Sequence, residues 1–163
     1  MHQKINSSDF VEKIEENQKI LHKICNIYTQ NKEDKKDLMQ EIIMQLWKSY
    51  PNFQNKSKFS TWMYRVSINT AITNFKRSKR NPVSGSINDF DIAVEPDNNN
   101  DDLQQLYIAI RKLKEVDRAI IMLYLEENNY KQIGEIIGLS EKNVSVKIVR
   151  IKKKLEKLLK REN

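Results

Sequence analysis

Apolar residues recur along this chain at intervals of three and four, the period of a helix face, without the sustained alternation of a half-buried strand. Over 8–30, Phe10, Ile14, Leu21, Ile24 and Tyr28 predict a first helix capped by Ser7 or Ser8. A polar turn at 31–36 precedes a second helix over about 35–49, which Pro51 stops. Leu38, Met39, Ile42, Ile43 and Leu46 form its predicted core. Lys58–Arg80, 23 residues without Gly or Pro, is read as one long helix capped by Ser60 or Thr61. At about 100° per residue, Tyr64, Ile68, Ala71, Ile72 and Phe75 share its apolar side. Leu103–Leu113 and Glu115–Glu126 predict two more helices, striped by Leu106, Ile110 and Leu113 and by Ala119, Ile120, Leu123 and Tyr124. A short helix over Tyr130–Ile137 ends at Gly138, and Leu139 fills the turn. Ser140 caps a last helix from Glu141, whose core stripe is Val144, Ile148, Ile151, Leu155 and Leu158. The predicted fold class is all-α.

Composition agrees with a helical, surface-rich protein. In 163 residues, 39% are hydrophobic, 31% are charged, and there are three Gly and three Pro. The formal net charge is +7, which suits a polyanionic partner. Its distribution says more than its total. Residues 1–80 carry net +7, residues 81–103 carry net −6 with no basic side chain, and residues 104–163 carry net +6. Pro82, Gly85, Pro96 and the Asn98–Asn100 run argue against a helix within that acidic stretch. The expected organisation is therefore two small helical domains, 1–80 and 104–163, joined by a flexible acidic linker over 81–103.

Chemistry enters at three places. The long helix carries Trp62, Arg65, Asn69, Thr73 and Lys76 opposite its apolar side and runs out through Arg77 and Arg80. Rings stack on unpaired bases, amides read base edges and cations neutralise phosphate, so this face suits unstacked nucleic acid. It equally describes an amphipathic helix whose Trp62 and Val66 pack on a second neighbour above a solvated tail. On the second helix, Asp37, Gln40, Glu41 and Met44 stand at i, i+3, i+4 and i+7, an acidic face in a basic domain. The C-terminal helix, Gly-containing turn and capped helix form a helix-turn-helix. Opposite the core of its last helix lie Lys142, Val146, Val149, Arg150, Lys153 and Lys157, and exposed valines among cations suit the thymine methyls of a major groove. Ser140, Lys142, Asn143, Ser145, Val146, Lys147, Arg150 and Lys153 are the candidate duplex-binding set. Lys142, Asn143, Ser145 and Lys147 are placed for base edges and nearby phosphates. Arg150 and the Lys152–Lys154 run are placed for backbone.

Other chemistries find no footing. One cysteine, Cys25, lies among Ile20, Leu21, Ile24 and Ile27, excluding an internal disulfide and a cysteine-based zinc cluster and predicting a buried, inert thiol. There is no metal-ligand spacing, Gly-rich phosphate loop or Ser/Cys–His arrangement, so neither an enzyme, a metal nor a cofactor is expected. No apolar run reaches membrane-spanning length, and no signal-peptide pattern opens the chain, so no membrane insertion and a cytoplasmic location are expected.

The stretches DKKDLMQEIIMQLWKSY and KFSTWMYRVSINTAITNFKR resemble the promoter-opening domain of bacterial sigma factors of the extracytoplasmic-function (ECF) class. GLSEKNVSVKIVRIKKKL resembles their upstream-element reader. The resemblance implies an alternative sigma factor that binds core RNA polymerase, recognises the −35 element with residues 130–157, and recognises and melts the −10 element with residues 54–80. It implies that Asp37, Gln40, Glu41 and Met44 contact polymerase. It implies that Asn55, Lys56, Lys58, Trp62, Arg65, Asn69, Thr73, Lys76 and Arg77 serve −10 recognition and melting of promoter DNA, the loop around Gln54–Ser57 contributing a pocket for a flipped base. It also implies that the acidic linker threads the RNA channel and that an anti-sigma factor exists. Lys147 stands where the family commonly has Arg, which weakens any bidentate base contact there. The competing expectation is a stand-alone helix-turn-helix regulator of duplex DNA. It leaves the Trp62 face and the Asp37–Met44 face without a role.

Overall fold

The computed structural model describes residues 6–80 and 101–161, all of them helix, turn or short connection. They fall into two units, one on each side of residues 81–100, and each unit has its own core. The acidic linker therefore lies largely outside the described residues. Its last three residues, Asp101–Leu103, belong to a helix, where two carboxylates meet the positive end of the helix dipole.

In the first unit the predicted opening helix is two: α1, Ser7–Glu16, and α2, Gln18–Tyr28. Asn17 leaves helical geometry at φ −112° and ψ 19°, and its side chain donates 2.9 Å to the Lys13 carbonyl, closing α1. The cap of α1 is Asn6 rather than Ser7 or Ser8; its side chain accepts from the Ser8 amide. Thr29 ends α2 by turning extended while its hydroxyl donates 2.6 Å to the Cys25 carbonyl. Helix α3 spans Lys32–Ser49, three residues earlier than its apolar pattern predicts, because Asn31 accepts 2.8 Å from the Asp34 amide and caps it. Pro51 ends it in a single 3-10 turn, Tyr50–Asn52. Helix α4 then runs unbroken over Phe59–Arg80, with Ser60 and Thr61 inside its first turn rather than at its cap.

Helices α3 and α4 pack together, with α2 against both. Leu21, Ile24, Ile27, Leu38, Ile42, Leu46, Met63, Ile68 and Ala71 are buried between them. Met39 and Ile43 stay half-buried. The buried stripe of α4 is rotated from the predicted one, running through Met63, Ser67, Ile68 and Ala71, while Tyr64, Ile72 and Phe75 line its margin. Cys25 is wholly enclosed, and burial pushes its thiol up to about 12, which removes the reactive thiolate at neutral pH.

The second unit contains α5, Asp101–Arg111; α6, Glu115–Leu125; α7, Tyr130–Ile137; and α8, Glu141–Arg161. Helix α8 packs against the other three and buries Val144, Ile148, Ile151 and Leu155, as its spacing predicts, while Leu158 stays half-buried. Buried Arg118 donates from Nε to the Leu113 carbonyl at 2.9 Å, closing the α5–α6 corner. Asn129 and Gln132 form a reciprocal capping box at the start of α7. Gly138 adopts φ +87°, the left-handed position that favours glycine, and the Gly138 and Leu139 amides both donate to the Gly134 carbonyl. A Cβ at Gly134 would run into the Leu139 carbonyl, so the turn closes only because that position is bare. The Asn143 amide donates to the Ser140 hydroxyl at 3.1 Å and caps α8.

Candidate nucleic-acid interfaces

Arg65, Asn69, Thr73, Lys76 and Arg77 are exposed along one side of α4, as the helical wheel predicts. Trp62 differs. It is half-buried, with its ring centroid 6.1 Å from Tyr50, 5.1 Å from Phe53 and 5.4 Å from Phe59. The packed-neighbour description of this ring therefore holds, while part of the ring stays open to solvent. Tyr50, Phe53, Phe59 and Trp62 form one cluster, and each of the four stays partly open to solvent. The loop between α3 and α4 carries Asn55 in the left-handed region at φ 56°, a conformation asparagine tolerates. Gln54, Asn55, Lys56 and Lys58 are exposed there.

Helix α1 reaches this cluster through two charged side chains. The Tyr50 hydroxyl donates 2.7 Å to the Asp9 carboxylate and accepts from Lys13 Nζ at 3.4 Å; Lys13 and Asp9 are 3.5 Å apart. The Lys13 ammonium also lies 5.6–5.9 Å from the centroids of Tyr50, Phe53 and Phe59, within cation–π range. The Tyr50 hydrogen bond, aided by Lys13, holds the Asp9 carboxyl below its usual range. Partial burial pulls the Lys13 ammonium down, but Tyr50 and Asp9 outweigh it and leave it raised. Burial and the Asp9 bond push the Tyr50 phenol up.

Of the acidic face on α3, Asp37, Gln40 and Met44 are exposed, Met44 at 49%. Glu41 points across to α4. It accepts 2.7 Å from Asn74 Nδ2 and pairs with Arg77 at 3.7 Å. Trp47, one turn beyond Met44, is also exposed and adds a second apolar group to that face.

In the second unit, Ser140, Lys142, Asn143, Val146, Arg150 and Lys153 are exposed on α8, with Val146 at 43% and Val149 at 49%. Ser145 and Lys147 are half-buried, and Lys147 Nζ pairs with Asp117 of α6 at 3.8 Å. The exposed polar front of α8 thus rests on Lys142 and Asn143 more than on Lys147. Lys152 also turns aside: it donates 2.7 Å to the Tyr124 hydroxyl, leaving Lys153 and Lys154 as the outward pair of its run.

Sequence reasoning passed over Asp9, Lys13, Tyr50, Phe53 and Phe59. The available signal was aromatic density: Tyr50, Phe53, Phe59 and Trp62 crowd into a short segment around a proline turn. The contribution of α1 left no such trace.

A helix-turn-helix with a cationic outer helix, beside a helical unit with a basic, partly aromatic face, is the form of a DNA-binding protein. Comparison with known proteins agrees. Residues 14–81 match the family described as Sigma-70 region 2, and residues 103–155 match Sigma-70, region 4. The ECF RNA polymerase sigma factor SigG of Mycobacterium tuberculosis is 36% identical over 59 residues, 36% of this chain but 16% of that protein. The ECF RNA polymerase sigma-E factor of Haemophilus influenzae is 26% identical over 152 residues, 83% of this chain and 80% of that protein. Among solved structures, the sigma factor RpoE of Bartonella quintana, in complex with the anti-sigma factor NepR, shares the fold with a TM-score of 0.77. It is 20% identical, and the match covers 93% of this chain and 97% of that one. The chain belongs to the ECF class of the sigma-70 family. Among the described residues, no helix is long and apolar enough to cross a membrane.

Proposed function

We propose that this chain is an alternative sigma factor: it binds core RNA polymerase in the cytoplasm, directs it to promoters, and supports DNA melting at initiation. The carrying observation is the presence, in one chain and in this order, of a region 2 match and a region 4 match. The chain performs no bond chemistry itself; polymerase does.

In this reading, residues 1–80 dock on polymerase and open the −10 element, 81–103 connect, and 104–163 hold the −35 element. Exposed Asp37, Gln40 and Met44 meet polymerase. Glu41 acts from behind them, since its carboxylate is already engaged by Asn74 and Arg77. Trp62 and its aromatic neighbours receive bases as they unstack, while Arg65, Asn69, Thr73, Lys76, Arg77, Lys58, Lys56 and Asn55 follow the strand. Ser140, Lys142, Asn143, Ser145, Val146, Arg150 and Lys153 meet the duplex, with Lys147 a supporting cation. An anti-sigma factor belongs to the proposal too, the Bartonella quintana neighbour having been solved with one.

The stand-alone regulator is not favoured, because it accounts for residues 103–155 and leaves residues 14–81 without a task. The test is co-elution with sigma-free core polymerase of the intact chain and of an Asp37→Lys, Gln40→Lys double variant. Glu41 is left untouched, because a lysine there would face Arg77 and disturb α4. The proposal expects the intact chain to co-elute and the variant to bind at least tenfold more weakly. Retention in the variant would move the interface, and no co-elution of the intact chain would overturn the function.

A further inference from the structure

We propose that Asp9 and Lys13 of α1 are positioning residues for base capture, acting through the Tyr50 hydroxyl to fix the ring wall of Tyr50, Phe53 and Phe59 against Trp62. The proposal rests on the promoter-opening role given to Trp62 above.

A stacking platform works only if its ring is held still before the base arrives, since immobilising it on binding opposes capture. Trp62 is anchored on α4, but two of its three ring partners belong to the turn and its exit, at positions 50 and 53, and the third begins α4. Backbone hydrogen bonding at the turn includes the Phe53 amide to the Tyr50 carbonyl, which fixes the chain but not the rings. The rings are held from α1. Phe10 packs edge-on against Tyr50 at 5.1 Å, the Tyr50 hydroxyl donates a 2.7 Å hydrogen bond to the Asp9 carboxylate, and the Lys13 ammonium lies over three of the four rings. Asp9 and Lys13 stand one turn apart, so a single helix face delivers acceptor and cation together. Charge-assisted bonds are directional, which is what holding one ring orientation requires. Partial exposure of all four rings leaves surface for an incoming base, unlike a sealed aromatic core.

The alternative role for Lys13 is a direct phosphate contact, and the two differ measurably. The experiment uses the full chain reconstituted with core polymerase and a promoter fragment selected by that holoenzyme from a random duplex library. It compares Tyr50→Phe, Lys13→Gln, Lys13→Arg and Trp62→Ala for closed-complex affinity, its salt dependence, and the rate at which thymines become permanganate-reactive. Positioning predicts that Tyr50→Phe and Lys13→Gln each slow opening by at least about tenfold, the scale of one lost charge-assisted bond, at unchanged closed-complex affinity and salt slope. Lys13→Arg should retain most of the rate, and Tyr50→Phe should add nothing in a Trp62→Ala background. Normal opening in Tyr50→Phe, beside slowed opening in Trp62→Ala, would overturn the positioning role. So would a salt slope shallower by about 0.9 in Lys13→Gln with Tyr50→Phe neutral, the mark of a phosphate contact. Normal opening in Trp62→Ala would instead overturn the role of Trp62 itself.

Discussion

Ser67 lies at the centre of the first unit with its side chain fully buried and its hydroxyl without a hydrogen-bond partner. A buried hydroxyl that finds no partner forfeits its hydration for nothing in return, and serine also forms helix less well than alanine. Ser67→Ala should therefore raise the unfolding free energy by about 1 kcal/mol, read as a higher urea midpoint at unchanged slope. A lower midpoint would mean that the oxygen has a partner in solution. Other residues show what a helical wheel can and cannot tell. The wheel puts Glu41 beside Asp37 on an outward face; the structure turns its carboxylate inward to Asn74 and Arg77. The wheel likewise leaves Trp62 undecided between solvent and a packed neighbour, and the rings of Tyr50, Phe53 and Phe59 half-cover it. In both cases the missing information was tertiary, because side-chain direction is settled by the neighbouring element and not by position on the wheel.

At the level of elements, the sequence was most informative where the controlling interactions are local. Helix α7, the Gly138 turn and the Ser140 cap could all be read in advance, since each depends on residues within five positions of one another. The break between α1 and α2 was missed because Asn17 is a weaker signal than Gly or Pro, although its own side chain closes the helix. The support that α1 gives to Tyr50 was invisible because it spans 41 residues of sequence. Gly134 supplies an element-scale prediction of unusual sign. An ordinary helical Gly→Ala change stabilises by about 1 kcal/mol. Here the new Cβ would meet the Leu139 carbonyl, so Gly134→Ala should destabilise the second unit by about 1–3 kcal/mol, the scale of overpacking. Thermal unfolding of the full chain would show it as a lower midpoint of the transition that also loses duplex binding. A raised midpoint would show that the turn can relax.

For the whole molecule, the two basic units and the two family regions tell the same story from independent observations, one of charge and one of sequence similarity. On the proposed function, the units divide the work by chemistry. The second has a narrow cationic helix with exposed valines, suited to a duplex groove, and the first has open rings beside amides and cations, suited to bases that have left the stack. A protein that only held duplex DNA would have use for the second set and none for the first. The most direct measurement is therefore permanganate reactivity of thymines in linear duplex DNA carrying a selected promoter, with sigma-free core polymerase, in the presence and absence of this chain. The account predicts reactive thymines confined to one short window, only when chain and polymerase are both present, and slowed in Trp62→Ala. Duplex binding by the chain with no opening in the presence of polymerase would contradict it.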